Sequence, residues 1–136
     1  MLRSRLAYLL LIPVAFMLMG ARAAPLLEPD PIAVPAGLTV KDVSKAIRAG
    51  VVTRGWVVSK DENGKIDAVL NVREHTARIN IAYDTKQVKV TYVSSDNLNY
   101  SEKNGVRVIH RNYNNWVHNV VADITRELQL ASVKHE

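Results

Sequence analysis

The chain has 136 residues, 48% of them hydrophobic, with no cysteine and a formal net charge of +5 at pH 7. A chain of this length holds one hydrophobic core rather than two, and the absence of cysteine excludes disulfides and leaves no thiol to carry a lipid. Three of the arginines, Arg3, Arg5 and Arg22, lie beside an apolar N-terminal segment. The rest of the chain is nearly neutral, so the composition gives no reason to expect nucleic-acid binding.

Residues 1–23 have the pattern of a secretory signal peptide. Arg3 and Arg5 precede the apolar residues 6–19, and the small-x-small sequence Ala21-Arg22-Ala23 follows. The apolar run is shorter than the usual membrane span, which disfavours the alternative of an uncleaved membrane anchor. We therefore predict cleavage after Ala23, a periplasmic location, and no stable membrane span after cleavage.

Residues 24–38 are rich in proline, with Pro25, Pro29, Pro31 and Pro35. Proline fixes the backbone angle φ and removes a hydrogen-bond donor, so we predict an extended linker that is not part of a sheet.

The first helix is predicted to begin after Thr39, which forms a capping-box pattern with Asp42. Four apolar residues share one side at helical spacing: Val40, Val43, Ile47 and Val51. We predict a helix to about Arg54, closed by Gly55, although a strand over residues 51–58 is the alternative. Gly50 would weaken this helix by about 1 kcal/mol relative to Ala.

Four strands in an antiparallel meander are predicted next. A short first strand covers residues 56–59, and Asn63-Gly64 is a strong turn signal. Apolar and polar residues then alternate over residues 66–72, 77–83 and 88–93. The connections are too short for crossover helices, so the strands must be antiparallel, with one apolar face.

A second helix is predicted after the polar residues 95–105, which contain the Asn104-Gly105 turn. Asn112 is the predicted cap, and the apolar stripe consists of Tyr113, Val117, Val120, Val121, Ile124 and Leu128. The predicted fold class is α+β. It is a two-layer sandwich in the order helix, four-stranded antiparallel meander, helix, with both helices on one face of the sheet. One domain is expected over residues 39–130, followed by a flexible tail, 131–136.

The chain also resembles a family of small exported and lipoprotein-like proteins of Gram-negative bacteria. The resemblance extends over roughly residues 40–128, and its most specific parts are Asn97-Leu98-Asn99-Tyr100 and Asn112-Tyr113-Asn114-Asn115-Trp116. It implies export and this fold class, and it assigns no activity to any residue. This chain differs from many family members in lacking the cysteine that would carry a lipid anchor.

Polar and aromatic residues form the candidate binding site. Asparagine side chains both donate and accept hydrogen bonds, and aromatic rings add apolar area, so such groups suit sugar, peptide or protein contacts. The candidates are Arg73, His75, Asn97, Asn99, Tyr100, Tyr113, Asn114 and Trp116, with Trp56 and Tyr92 in the same constellation. The alternative interpretation is that they cap helices, satisfy loop backbone and fill the core. The sequence favours a noncatalytic domain that recognises an envelope component or a partner protein.

Catalysis is the competing interpretation. The sequence has no recognised nucleophile, phosphate-binding or metalloprotease motif, so a hydrolase would have to combine His75 with Asp96 or Ser95. The four histidines, His75, His110, His118 and His135, are not spaced to share a metal ion, since a helix continuing through His110 would place it about 12 Å from His118. We predict no metal site and no cofactor, and the sequence leaves the oligomeric state open.

Overall fold

The computed structural model describes residues 22–135, so the signal-peptide prediction lies largely outside the described residues. Within this range there are two helices and eight strands, and the α+β class is confirmed. The strands are β1 (Ala23–Pro25), β2 (Ile32–Ala33), β3 (Val57–Glu62), β4 (Lys65–Val72), β5 (His75–Tyr83), β6 (Gln87–Asp96), β7 (Ser101–Lys103) and β8 (Val106–His110). The helices are α1 (Val40–Thr53) and α2 (Arg111–Lys134).

The larger sheet has five antiparallel strands in the order β2-β6-β5-β4-β3. The predicted meander corresponds to β3 through β6, and β2 is a fifth strand that was not expected. The pairing register shifts within β3 between Val58 and Lys60, so Ser59 is the extra residue of a bulge at this edge. A second shift makes Val93 the extra residue in β6.

A separate three-stranded sheet, in the order β1-β8-β7, is built from segments predicted to be linker and loop. The prediction that residues 24–38 stay outside any sheet is wrong, because this segment supplies both β1 and β2. Three apolar side chains anchor it: Leu26, Ile32 and Leu38 are buried in the core. Proline is compatible with these strands because both lie at sheet edges, where one side of the backbone needs no ladder hydrogen bond.

Helix α1 begins with the predicted capping box. The Thr39 hydroxyl accepts from the Asp42 amide, and the Asp42 carboxylate accepts from the Thr39 amide. Arg54 caps the other end, and Gly55 follows in the left-handed region with φ of 88°. The alternative of a strand from residue 51 therefore fails at its start, since Val51 is helical.

Helix α2 begins at Arg111, two residues before the start expected with Asn112 as its cap. Its N-cap is His110, whose ring Nδ1 accepts from the Asn112 amide, so the prediction that Asn112 is the cap is wrong. The helix continues to Lys134, and the predicted flexible tail is mostly helical. The helix extends because nothing in residues 111–134 interrupts it: there is no glycine or proline.

The core lies between the helices and one face of the five-stranded sheet. That face carries Ile66, Ala68, Leu70, Ala77, Ile79, Ile81, Val88 and Val90, all buried. The two helices pack extensively against each other. Helix α1 also packs on β3 and β5, whereas α2 contacts β1 and β8. The arrangement thus differs from two helices covering one four-stranded sheet, because the start of α2 packs on the smaller sheet.

Candidate functional site

His75, the first residue of β5, is held by the loop that follows β6. Because Thr76 pairs with Asp96 in the sheet, the next residue of that chain, Asn97, comes beside His75. The His75 Nδ1–H donates to the Asn97 carbonyl oxygen over 2.6 Å. A carbonyl oxygen can only accept, so this bond fixes the proton on Nδ1 and leaves Nε2 as the ring nitrogen able to accept from another molecule.

Two further rings surround His75. The ring centroids of His110 and Trp116 each lie 6.3 Å from that of His75, with the rings tilted by 33° and 51°. His110 ends β8 and Trp116 lies in the second turn of α2, so both sheets and a helix contribute. All three side chains are half-buried. We call His75, His110 and Trp116 the imidazole–tryptophan cluster.

The two imidazoles of the cluster have different roles. The Nδ1 of His110 accepts the α2 capping hydrogen bond from the Asn112 amide over 3.1 Å, so its neutral ring carries the proton on Nε2. His75 has the opposite tautomer. The cluster therefore offers one ring nitrogen that accepts and one that donates, beside an indole.

The loop after β6 is anchored rather than open. Leu98 is buried, and its carbonyl oxygen accepts from the His110 amide over 2.8 Å. Asn97 and Asn99 flank it with φ of 58° and 53°, a left-handed conformation that asparagine tolerates better than most residues. The Asn97 amide nitrogen also donates to the Glu74 carbonyl oxygen, so Asn97 ties the loop to the β4–β5 turn.

Arg73 lies at that same turn and is exposed. Its φ is 55°, a left-handed conformation that costs an arginine more than an asparagine. The two-residue turn between Val72 and His75 imposes it, since the ladder of β4 and β5 continues up to that pair. The turn thus places an exposed arginine two residues before His75.

Tyr100 belongs to a second group on the other side of the loop. Its ring stacks on that of Tyr92 at a centroid distance of 4.7 Å and an angle of 19°. The Arg107 Nε donates to the Tyr100 hydroxyl over 2.9 Å, and Arg107 Nη1 lies 3.2 Å from the carboxylate of Glu28. Tyr100 is thus held to the segment predicted as linker, and it is 36% exposed.

Two predicted site residues have internal roles. Tyr113 is buried, with its ring edge-on to Tyr92 at 5.4 Å. Burial raises the pKa of the Tyr113 phenol well above its ordinary value, with repulsion from Tyr92 a smaller cause. Asn114 accepts from the Leu27 amide and donates to the Pro25 carbonyl oxygen, each over 2.9 Å, and so holds the segment after β1 by its backbone.

The structure therefore divides the predicted set. His75, Asn97 and Trp116 come together at one surface, and Arg73 lies on the turn just before His75. Asn99 and Tyr100 lie along the adjoining loop, and Tyr113 and Asn114 face inward. His110 and Arg107 were not among the predicted binding residues. The pairing of β8 with β1 and β7 gave no sequence signal, so nothing indicated that His110 would lie beside His75.

The pairs that a hydrolase would require are not formed. The Asp96 carboxylate accepts from Arg78 over 2.9 Å, on the open face of the sheet, whereas His75 shares the helix-facing side with Ala77 and Ile79. The Ser95 hydroxyl lies 2.8 Å from that of Tyr92. His75 is thus bonded to a backbone carbonyl, and neither Ser95 nor Asp96 is bonded to it.

Two depressions of the surface lie away from these residues. One of about 270 Å³ is lined by residues that include Lys60, Asp67 and Asn80, and another of about 160 Å³ by residues that include Val69 and Arg78. Both are on the open face of the five-stranded sheet, and neither is lined by a candidate site residue. Within residues 22–135, no three His, Asp or Glu side chains converge as a metal site would require. No helix in this part of the chain has the length and apolar character needed to cross a membrane.

Comparison of the chain with protein-family models, with curated proteins and with solved structures finds no match. The resemblance to small exported proteins of Gram-negative bacteria is therefore still a prediction.

Proposed function

We propose that this protein is an exported, noncatalytic periplasmic domain that recognises an envelope component or a partner protein. The recognition surface consists of the imidazole–tryptophan cluster, the Arg73 turn and Asn97. The observation that carries the proposal is the fixed orientation of His75, whose Nδ1 donates to Asn97 over 2.6 Å and whose Nε2 can accept. A pre-oriented polar group beside an aromatic ring is the kind of arrangement that gives a binding surface specificity.

The chemistry of the surface supports binding rather than catalysis. Tryptophan and arginine are the residues most enriched among strong contributors to protein interfaces, and both are present here at the edge of the solvent. A hydrolase would need a nucleophile or a second proton-transfer group bonded to His75, and the atom bonded to its Nδ1 is a backbone carbonyl oxygen.

The export part of the proposal is supported by the sequence pattern of residues 1–23. It is tested by expressing the full chain with a C-terminal tag, separating periplasm from cytoplasm and membranes, and sequencing the N-terminus of the recovered protein. A periplasmic product that begins at Ala24 supports the proposal. A full-length product in the membrane fraction contradicts the cleavage.

Binding is tested by native mass spectrometry on the mature protein isolated gently from its own envelope fraction. We expect a stoichiometric adduct or a co-purifying protein. The variants His75→Gln and Arg73→Ala should lose the adduct. The first removes the accepting ring nitrogen Nε2, and the second removes the positive charge of the turn. Lys89→Ala, a change of an exposed residue on β6, is the matched control and should keep it.

Folding of each variant is verified by circular dichroism before the comparison. A bare monomer mass that is reproducible at low salt, with no cross-linked partner in intact cells, would contradict the binding proposal. An adduct that all three variants retain would show that binding occurs at another surface.

A further inference from the structure

The predicted processing site lies inside a strand pair. In the sheet, Ala23 pairs with His110 and Ala24 with Ile109, so the Ala23–Ala24 peptide bond lies within the ladder between β1 and β8. Sequence patterns place signal-peptide cleavage at this bond. The residues that the peptidase must reach are therefore already part of the folded domain.

Several contacts hold this strand in place. The Arg22 carbonyl oxygen accepts from the Arg111 amide over 3.0 Å, and the Leu26 amide donates to the Arg107 carbonyl oxygen over 2.9 Å. The Asn114 side chain donates a hydrogen bond to the Pro25 carbonyl oxygen, and the Leu26 side chain is buried. The strand is thus tied at both ends and cannot separate without breaking backbone and side-chain hydrogen bonds together.

A protease acts on a peptide bond that it can surround with its own backbone groups, so a bond already in a ladder must open first. We propose that folding closes the Ala23–Ala24 bond to signal peptidase, so that cleavage must come before β1 docks on β8. A chain that folds first keeps residues 1–23. This inference rests on the export part of the proposed function.

The chemical step is hydrolysis. Water adds across the Ala23–Ala24 bond, Ala23 leaves as a carboxylate, and Ala24 becomes an ammonium terminus. The product loses the Arg22 carbonyl that accepts from Arg111 and the Ala23 half of the ladder. The order of the two events therefore decides which N-terminus the domain has.

The test uses the full-length precursor in mild detergent with purified signal peptidase, and follows cleavage by intact mass. Precursor folded beforehand is compared with precursor diluted out of urea directly into the peptidase. We expect cleavage of the folded wild type to be at least about tenfold slower, because its rate is limited by the open fraction. Asn114→Ala should recover much of the difference, and Asn115→Ala, a change of the exposed neighbour, should not.

Hydrogen exchange of the Leu26 amide provides a second readout if Asn114→Ala folds poorly. In the wild type the cleavage rate should fall in proportion to the protection of that amide, as conditions are made more stabilising. Equal cleavage of folded and freshly diluted wild type would overturn the inference and leave export intact. Failure of the peptidase to cut even the freshly diluted chain would overturn both the inference and the signal-peptide prediction, without bearing on partner binding.

Discussion

Gly50 of α1 lies directly against Ile124 of α2. A β-carbon at position 50 would stand 2.8 Å from the Ile124 Cγ1 and 2.9 Å from its amide nitrogen. Because one of these contacts is with backbone, rotation of the Ile124 side chain cannot relieve it. The glycine that weakens the helix by propensity is the residue that lets the two helices approach.

Gly50→Ala should therefore destabilise the protein although alanine favours the helix. Helix propensity gains about 1 kcal/mol, but overpacking at a helix crossing costs about 1–3 kcal/mol and forces the backbones apart. We expect a net loss in the free energy of unfolding, measured by urea titration. Val52→Ala, at an exposed position of the same helix, is the control and should change stability little. A net gain from Gly50→Ala would contradict the close crossing.

Leu26→Ala tests whether the proline-rich segment belongs to the core. Leu26 is 9% exposed, and truncation of a buried leucine usually lowers the free energy of unfolding by about 2–5 kcal/mol. Because Leu26 lies at the edge of the core, we expect a loss of about 2 kcal/mol. Leu130→Ala is the matched control, because Leu130 is 50% exposed. Equal effects of the two changes in chemical denaturation would mean that the segment does not pack as described.

Arg54→Ala should lower the melting temperature more than Arg126→Ala. The Asp123 carboxylate is buried and accepts from the Arg54 Nε over 2.7 Å, whereas Arg126 Nη1 lies 3.6 Å from its other oxygen. Removing Arg54 leaves a buried carboxylate without its closest cation, which costs more than losing a long contact. Thermal unfolding of both variants, with Asp123→Asn combined with each, measures the coupling. A larger loss of melting temperature in Arg126→Ala than in Arg54→Ala would contradict the prediction.

Asp42→Asn should reduce the loss of stability in acid. The Thr39 amide, then the Thr39 hydroxyl, lower the pKa of the Asp42 carboxyl below its ordinary value of 3.8, and a smaller effect comes from His135. A carboxyl with a lowered pKa in the folded state contributes stability above pH 3.8 that disappears as the pH falls through the folded value. Melting temperatures between about pH 6 and pH 2 should converge for wild type and variant at the acid end. Parallel curves over the whole range would contradict the capping box.

Tyr113→Phe should remove the last phase of tyrosine ionisation in alkali. Burial raises the pKa of the Tyr113 phenol far above its ordinary value of 10.0, so this group ionises only at or after unfolding. A raised pKa favours the neutral form in the folded state, so its stabilisation is complete below pH 10.0 and is lost as the pH rises further. Absorbance at the phenolate band detects each phase. Persistence of the last phase in Tyr113→Phe would contradict the burial of that ring.

The elements with regular periodicity were predictable, because the spacing of their apolar residues shows both the type of element and the side that is buried. The meander from Lys65 to Ser94 and the stripe from Tyr113 to Leu128 are present as expected. Strands β1, β2 and β7 were not, because each is only two or three residues long and forms through a distant partner. The prolines in and near β1 and β2 also argued for a linker, whereas the strand pairing and the burial of Leu26 and Ile32 show that the segment is part of the fold.

The candidate site was predictable in its composition and not in its geometry. Asn97 and His75 were both singled out, but the bond between them depends on the register of β5 against β6, which the sequence does not specify. Asn114 has the composition of a binding residue and acts on the Pro25 and Leu27 backbone instead. An asparagine can bind a ligand or hold a neighbouring backbone segment. The position of the N-terminal segment beside α2 gives Asn114 the second role.

The bulge at Ser59 has a consequence for the crowded compartment to which the chain is predicted to be sent. A regular strand edge can add strands from other molecules and grow into fibrils, and β3 is the free edge of a sheet rich in valine and isoleucine. The extra residue interrupts the ladder in mid-strand, and Lys60 and Glu62 place opposite charges beyond it. A strand added at that edge could pair regularly only with Val57 and Val58 before it met the bulge, which disfavours association through β3.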